Sequence, residues 1–458
     1  MGGARGAKAV LTFRGDSAWA ARDPEWLACL RDSCELLWPS PATVVLEIDE
    51  QHRSGRRRWR SQEAQDQGRE TQDQAEPADG EFALVPLFRR PPLLVPPGRR
   101  VAAAAVRHYT GARSSAARLG INALSFALAG GLSGAVLRGR VRVNARPGTE
   151  TIEAYLIDVM QRDIRVSMYL GPARANRKPV LQLLTSAGET VGFAKIGVSP
   201  LTSRLVRVER DALAQLGQAS LAEITIPRVL HYGVWHGLDV LVLSALPTWQ
   251  RRRPIPPDRL AASMIELARI GGLRREPLTG SGYLDRLRTS LAGADKSAEQ
   301  AALMDSLDTL ASRVNGTTLA FGAWHGDWAP WNMANTGRGL MVWDWERFTS
   351  DVPQGFDALH YGLQAELKQA ELKMWHRDPR DAAARCIADA PQVLSPFGID
   401  AIPAQITAIL YLADLATRYL VDRQAQAGSP LGAPGTWLLP AIRGEIAKLP
   451  APPNGAAS

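Results

Sequence analysis

The sequence predicts an α+β fold in which an antiparallel meander of strands precedes a mainly helical region. Three observations carry that reading. Segments 164–170, 180–185 and 191–196 are short apolar runs, joined by a Gly/Pro-bounded loop at 171–179 and by the turn Ser186-Ala187-Gly188-Glu189. Segments 258–270, 283–291, 298–314, 357–375 and 402–423 repeat apolar residues at helical spacing. Only 319–324 and 340–343 interrupt the helical region as short buried strands, with the turn Asn335-Thr336-Gly337-Arg338-Gly339 between them.

The elements before the meander divide by composition. Residues 1–50 form a small extension, helical at 26–37 and strand-like at 42–48. Residues 51–80 are first Arg-rich, then rich in Gln, Glu and Asp, with almost no large apolar side chains to bury, and are expected to be a disordered linker. Residues 81–160 resume with strand-like runs at 82–88 and 93–95, turns at Pro91, Pro92, Pro96 and Pro97, and a helix over 101–109. A sheet lobe is expected over 161–247, a helical lobe over 248–449, and a fraying Pro/Ala/Gly-rich tail over 450–458. There is no internal repeat.

The 458 residues carry a formal charge of +8, unevenly placed. Residues 1–150 hold 22 basic and 16 acidic side chains, against 32 and 30 in the remainder, and 82–149 contain eleven arginines and no acid. Such a block suits a phosphate-bearing partner, or its charges are simply solvated or set against acids elsewhere. No zinc-finger spacing or RNA-binding aromatic signature accompanies it, which argues against nucleic acid. Segment 119–137 has no formal charge, but Asn122, Ser125, Ser133 and four glycines dilute it, so a helical hairpin is expected rather than a membrane span. Three cysteines, Cys29, Cys34 and Cys386, without C-x-x-C spacing imply a reducing compartment. No export signal opens the chain, and a cytoplasmic location is expected.

The chemistry concentrates in His325-Gly326-Asp327-Trp328-Ala329-Pro330-Trp331-Asn332, followed by Asp344-Trp345-Glu346 behind the apolar run Leu340-Met341-Val342-Trp343. Pro330 disfavours a regular helix here, so the segment reads as a loop between strands. Phosphotransfer needs one carboxylate at the attacking hydroxyl, and an amide oxygen with a second carboxylate on the metal that neutralises phosphate charge. Asp327, Asn332 and Asp344 are that set.

At H-G-D-x-x-x-x-N, the apolar strand, D-W-E and Phe356-Asp357-Ala358-Leu359-His360, the chain resembles the aminoglycoside phosphotransferase and choline kinase family. The resemblance implies a two-lobed protein-kinase-like fold, with ATP and Mg2+ as cofactors. It implies Asp327 as catalytic base, Asn332 and Asp344 as metal ligands, and Asp357 as a structural acid. Phe193-Ala194-Lys195-Ile196 is similar to the strand whose Lys grips nucleotide phosphates, and Glu209 stands where its partner Glu belongs. Adenine would meet backbone around Ser244 to Leu246. The first turn, with Gly171 alone, lacks G-x-G-x-x-G, and its Arg174, Arg177 and Lys178 either meet phosphate or form an exposed basic hairpin.

The acceptor is expected to be a hydroxyl of a small polar molecule, such as a sugar, amino sugar or aminoglycoside-like compound. Residues 361–458 hold nine acids and nine bases, so no bulk acidic bias marks a polycation pocket, though Asp351, Glu366 and Asp414 remain local candidates. Of the five tryptophans from Trp324 to Trp345, Trp328 and Trp331 lie in the loop and are the candidates to contact the acceptor. His325 is expected to brace the loop. The competing function is a nucleotide-binding pseudokinase whose basic N-terminal region binds a partner, membrane or nucleic acid.

Overall fold

The computed structural model describes residues 24–48, 78–87, 90–108, 115–131, 139–145, 148–172, 174–248, 250, 252–314, 316–336, 339–373, 378–429 and 431–449. Residues 1–23, most of the expected linker 51–80 and the tail 450–458 lie outside them. The fold is α+β and its contacts divide into two compact units, one built on residues 1–172, 177–198 and 233–245, the other on 173–176, 199–232 and 246–458.

The first unit is built on a sheet larger than the sequence predicted. Its strands are β1 (Thr43–Ile48), β2 (Ala78–Leu87), β3 (Arg90–Val95), β4 (Gly139–Ala145), β5 (Arg165–Leu170), β6 (Pro179–Leu184) and β7 (Thr190–Gly197). After the short β8 (Ile224–Thr225), which joins another sheet, come β9 (Val229–Trp235) and β10 (Leu238–Ser244). The sheet order is β1-β4-β2-β3-β5-β6-β7-β10-β9. The small meander is therefore one half of a nine-stranded sheet, and the expected extension and Arg-rich region are its other half.

Side-chain alternation explains that union. On β4, Val141, Val143 and Ala145 are buried while Arg142 points out. The helix α1 (Pro24–Leu37) buries Trp26, Leu30, Cys34 and Leu37 at helical spacing, in one core with Val166, Leu181, Ala194 and Ile196 of the meander. Each such large apolar side chain contributes roughly 1.5–3 kcal/mol of burial, so the extension is part of the sheet's core and not an appendage. Trp38 stacks on Phe82 at 5.4 Å and donates its indole N–H to Glu153 Oε2 at 2.6 Å. The helices α2 (Arg99–His108) and α3 (Ser115–Ala129) cover the other face through Val101, Val106, Ile121 and Leu128, against Val85, Leu93, Val95 and Leu184.

One expectation changes here. The sheet begins at Ala78, so the last three residues of the expected linker are strand. Of the hairpin expected over 119–137, the described part is the helix α3, which stops at Gly130-Gly131 with Gly131 at φ +85°; 132–138 lie outside the described residues. Among the described arginines of the basic block, Arg140 pairs with Glu81 at 2.9 Å and Arg142 approaches it at 4.0 Å, so part of that charge is locally balanced. The helix α4 (Ile152–Met160), capped by Thr151, precedes the meander and escaped the sequence reading.

The second unit begins with α5 (Pro200–Leu216), started by a Ser199/Thr202 capping box with Pro200 in the first turn. There follow α6 (Pro257–Ala268), β11 (Arg274–Pro277), α7 (Gly282–Ala292), α8 (Ala298–Arg313), β12 (Thr318–Trp324), β13 (Met333–Asn335), β14 (Leu340–Val342) and β15 (Thr349–Pro353). The remaining helices are α9 (Phe356–Lys373), α10 (Pro379–Ala388), α11 (Ala390–Leu394), α12 (Ala401–Val421) and α13 (Leu438–Lys448). Their shared core centres on α12, whose residues from Ile406 to Ala416 are buried except Asp414. The strands form two small sheets, β11-β12-β15 and β13-β14-β8, the latter closed by a parallel pairing of β8 with β14.

No single helix among the described residues is long and apolar enough to cross a membrane. One bent pair, Ala390–Phe397 with Ala401–Val421, passes by length and composition with a 106° bend.

Candidate functional site

The loop between β12 and β13 is shaped by backbone demands. Gly326 has φ +82°, and a Cβ there would collide with the Arg347 carbonyl. Asp357, at the start of α9, accepts the backbone N–H of His325 at 2.8 Å and of Gly326 at 3.3 Å. Arg418 on α12 donates to the Gly326 carbonyl at 2.6 Å. Three elements thus hold the turn that presents Asp327.

His325 fixes the turn from inside. Its Nδ1 accepts the Asp327 backbone N–H at 3.1 Å, so the proton sits on Nε2, which donates to the Trp343 carbonyl at 3.1 Å. Burial pushes its pKa down to about 4 despite the neighbouring Asp327 and Asp344, so the ring is a neutral brace. Asp357 moves the opposite way: burial raises it to about 7, against the two backbone N–H bonds that lower it.

Asp327 keeps its charge. Burial is the largest influence and pulls its pKa upward, but the hydrogen bond and electrostatic influence of His360, together with that of His325, outweigh it and hold the carboxyl below the usual range. Its Oδ1 lies 3.0 Å from His360 Nε2 and its Oδ2 accepts from Asn332 Nδ2 at 2.9 Å. The side chain is 32% exposed, so a face of this ionised carboxylate stays open.

The β13–β14 hairpin places the second acid. Met333 pairs with Val342, and the Trp343 N–H donates to the Asn332 carbonyl at 3.1 Å, which closes the hairpin with Asn332 and Asp344 at one end. Because Asn332 Nδ2 bonds to Asp327, its Oδ1 is directed away from that carboxylate. Asp344 has φ +74°, a left-handed conformation uncommon for a residue with a Cβ and enriched at functional turns. Carboxylate oxygens of Glu209, Asp344 and Glu346 lie within 4.8 Å of one another. Hard oxygen donors in that density fit a Mg2+-like ion.

The other predicted residues fall as follows. Lys195 is on β7, nearly buried, opposite Val180 and Leu241 in the sheet. Glu209 is fully buried on α5, where its Oε1 accepts the Trp345 N–H at 3.2 Å. Ser244 ends β10 opposite Gly192, and the Leu246 carbonyl beyond it accepts from Thr248 N–H at 2.7 Å. Trp331 is half-buried.

Trp328 corrects an expectation. It is 0% exposed, its ring 5.9 Å from that of His325, so it supports the loop from within and offers no face to an acceptor. A loop position beside a catalytic carboxylate does not decide which way the next side chain turns. Sequence reasoning quoted His360 only as the end of the run from Phe356 and gave it no role; it missed Tyr411, bonded to His360 at 3.0 Å behind Asp327, and Asn176, which donates to Glu346 Oε1 at 3.0 Å. Neither Tyr411 nor Asn176 has a spacing signal.

A cavity of about 340 Å³ opens in the second unit beside the loop. Its wall includes Arg418 and Trp324, four arginines in all, and the carboxylates Glu346, Asp414 and Asp422. Asp422 is already bound by Arg347 at 2.6 Å and Arg204 at 3.1 Å. Asp351 is taken by Arg286 at 2.6 Å and by Arg274, and Glu366 by Arg385. The wall has no acidic excess, and only Asp414 of the three local candidates lines it.

No protein-family model and no curated protein matches this chain. Among solved structures, the chain is similar to choline kinase LicA from Streptococcus pneumoniae, at 13% identity over 65% of this chain and 98% of that one, with a TM-score of 0.42. It is also similar to a thermostable mutant of aminoglycoside phosphotransferase APH(4)-Ia in complex with ADP and hygromycin B, at 13% identity over 67% and 99%, TM-score 0.40. A third is a putative fructosamine-3-kinase from Haemophilus somnus 129PT, at 14% identity over 64% and 96%, TM-score 0.39.

Proposed function

We propose that the protein is an ATP- and Mg2+-dependent phosphotransferase that moves the γ-phosphate to a hydroxyl of a small polar molecule, of the sugar, amino sugar or aminoglycoside-like kind. The observation that supports this best is the arrangement of one loop. An ionised, part-exposed Asp327 is held by Asn332, and the closing hairpin sets Asn332 beside Asp344.

In this reading the acceptor hydroxyl bonds to the open face of Asp327. Its oxygen attacks the γ-phosphorus, the bond to the β-phosphate oxygen breaks, ADP leaves, and the hydroxyl proton passes to the Asp327 carboxylate. Asn332 Oδ1 and Asp344 would hold the ion, with Glu209 and Glu346 close by, and a bound Mg2+ would neutralise phosphate charge. Lys195 would grip the nucleotide phosphates, with Glu209 as its partner, and backbone around Ser244 and Leu246 would take the adenine. Trp331 remains the candidate aromatic contact to the acceptor. The wall of the neighbouring cavity, with four arginines against three carboxylates, offers no acidic excess to a polycation.

Transfer of labelled γ-phosphate from ATP to a panel of sugars, amino sugars, aminoglycosides, choline and amino acids tests the reading. A labelled product that disappears in D327A supports it. Nucleotide binding by thermal shift, with no labelled product and no phosphate release to water, would favour the pseudokinase instead.

A further inference from the structure

Behind Asp327 lies a buried chain of two side chains that no part of the phosphotransfer reading employs. His360 Nε2 is 3.0 Å from Asp327 Oδ1, and His360 Nδ1 is 3.0 Å from the Tyr411 hydroxyl. His360 is 2% exposed and Tyr411 0%. The ring of His360 is caught edge-on between Trp324, at 6.5 Å, and Tyr411, at 5.9 Å. Tyr411 is fixed in turn against Phe356 at 5.7 Å.

The proton positions follow from chemistry. An ionised carboxylate only accepts, so the Nε2 facing Asp327 must carry a hydrogen. With the ring neutral, as its burial favours, Nδ1 is an acceptor and the Tyr411 hydroxyl must donate to it. The chain runs one way: Tyr411 O–H to His360 Nδ1, His360 Nε2–H to Asp327 Oδ1. With Asn332 on Oδ2, both carboxylate oxygens are anchored from inside.

We propose that His360 is a positioning residue for the catalytic carboxylate, with Tyr411 fixing its tautomer, so that Asp327 is held in rotation for the acceptor hydroxyl. The proposal rests on the phosphotransfer reading. It assigns to α9 and α12, through one side chain each, the orientation of the group that receives the proton. In-line transfer is sensitive to displacements of about 1 Å, so a carboxylate free to rotate loses rate with no loss of nucleotide binding.

The test uses the full chain, with Mg2+·ATP and water as the acceptor, and the panel acceptor where one is found. His360→Leu removes the donor, and His360→Gln restores an N–H near the Nε2 position. The proposal expects kcat of H360L to fall about 10- to 100-fold with the ATP KM within twofold, as loss of one transition-state positioning contact does, and H360Q to recover much of it. Tyr411→Phe should lower kcat a few-fold, and the imidazole 15N shifts of His360 should report an Nε2–H tautomer in the wild type. Wild-type kcat in H360L, equal losses in H360L and H360Q, or an Nδ1–H tautomer would each overturn it. D327A separates the two levels: if D327A is inactive while H360L is not, the positioning role falls and the kinase reading stands; if D327A turns over normally, the kinase reading falls and takes this role with it.

Discussion

The backbone N–H of Trp345 donates to Glu209 Oε1 at 3.2 Å, although the two residues are 136 positions apart. That bond pins the segment after β14 to α5 and sets the Glu209 carboxylate among those of Asp344 and Glu346, with oxygens inside 4.8 Å. Three carboxylates so close repel one another unless a cation is shared between them. The stabilisation of the protein by ADP should therefore depend on Mg2+ in the wild type and lose that dependence in Asp344→Asn, as read by thermal shift. An ADP shift that is indifferent to Mg2+ in the wild type would count against the metal site.

The neutral His325 and the raised Asp357 predict opposing pH effects. His325 has its folded pKa lowered to about 4, so its contribution is present above its unfolded pKa and is lost as pH falls from 6.5 toward 4. Asp357 is raised to about 7, so its contribution is present near pH 4 and is lost as pH rises toward 7. Each amounts to about 2 kcal/mol between pH 5 and 7, and they nearly cancel. In D357N the Asp357 contribution disappears, and urea melts should show stability dropping from pH 7 to 5 more steeply than in the wild type. Parallel curves for the two proteins would refute this pairing.

Gly326 predicts a sharp local intolerance. At φ +82°, with the Arg347 carbonyl where a Cβ would go, G326A must displace the turn that carries Asp327. Stability should fall by about 2 kcal/mol or more and turnover should fall with it. A G326A protein with wild-type Tm and activity would show that the turn is not held as described.

The two loop tryptophans should separate by phenotype. Trp328 is fully buried against His325, so W328A should cost about 3–5 kcal/mol in chemical denaturation. Trp331 is half-buried, so W331A should leave stability nearly intact and raise the KM of the acceptor that the panel identifies. A W328A protein as stable as the wild type would contradict the packing role.

The legible parts of this molecule are those written in local patterns. The three meander strands and the long helices of the second unit follow their periodicity to within a few residues. The first half of the sheet was hidden because it is non-local: β1 and β2 pair with β4, so Val44 meets Val143 across nearly a hundred residues. The alternation in Arg140-Val141-Arg142-Val143 was on view, yet the surrounding arginines made the segment read as a charge block. At the site, Asp327, Asn332 and Asp344 were legible because one loop and one hairpin carry them. The pairing of His360 with Tyr411 was not, because they come from α9 and α12, 51 positions apart, and meet only through packing. The burial of Trp328 was equally out of reach, since side-chain direction in an irregular loop has no period.

The most direct test of the account is γ-phosphate turnover by the wild type, D327N and D344N, alongside ADP binding by each. Asparagine preserves shape at both positions while removing the proton-accepting charge at Asp327 and one anionic ligand at Asp344. The account predicts that D327N binds Mg2+·ADP as the wild type does while kcat falls by at least about 100-fold, and that D344N loses turnover together with Mg2+-dependent binding. Turnover in D327N equal to that of the wild type would contradict it.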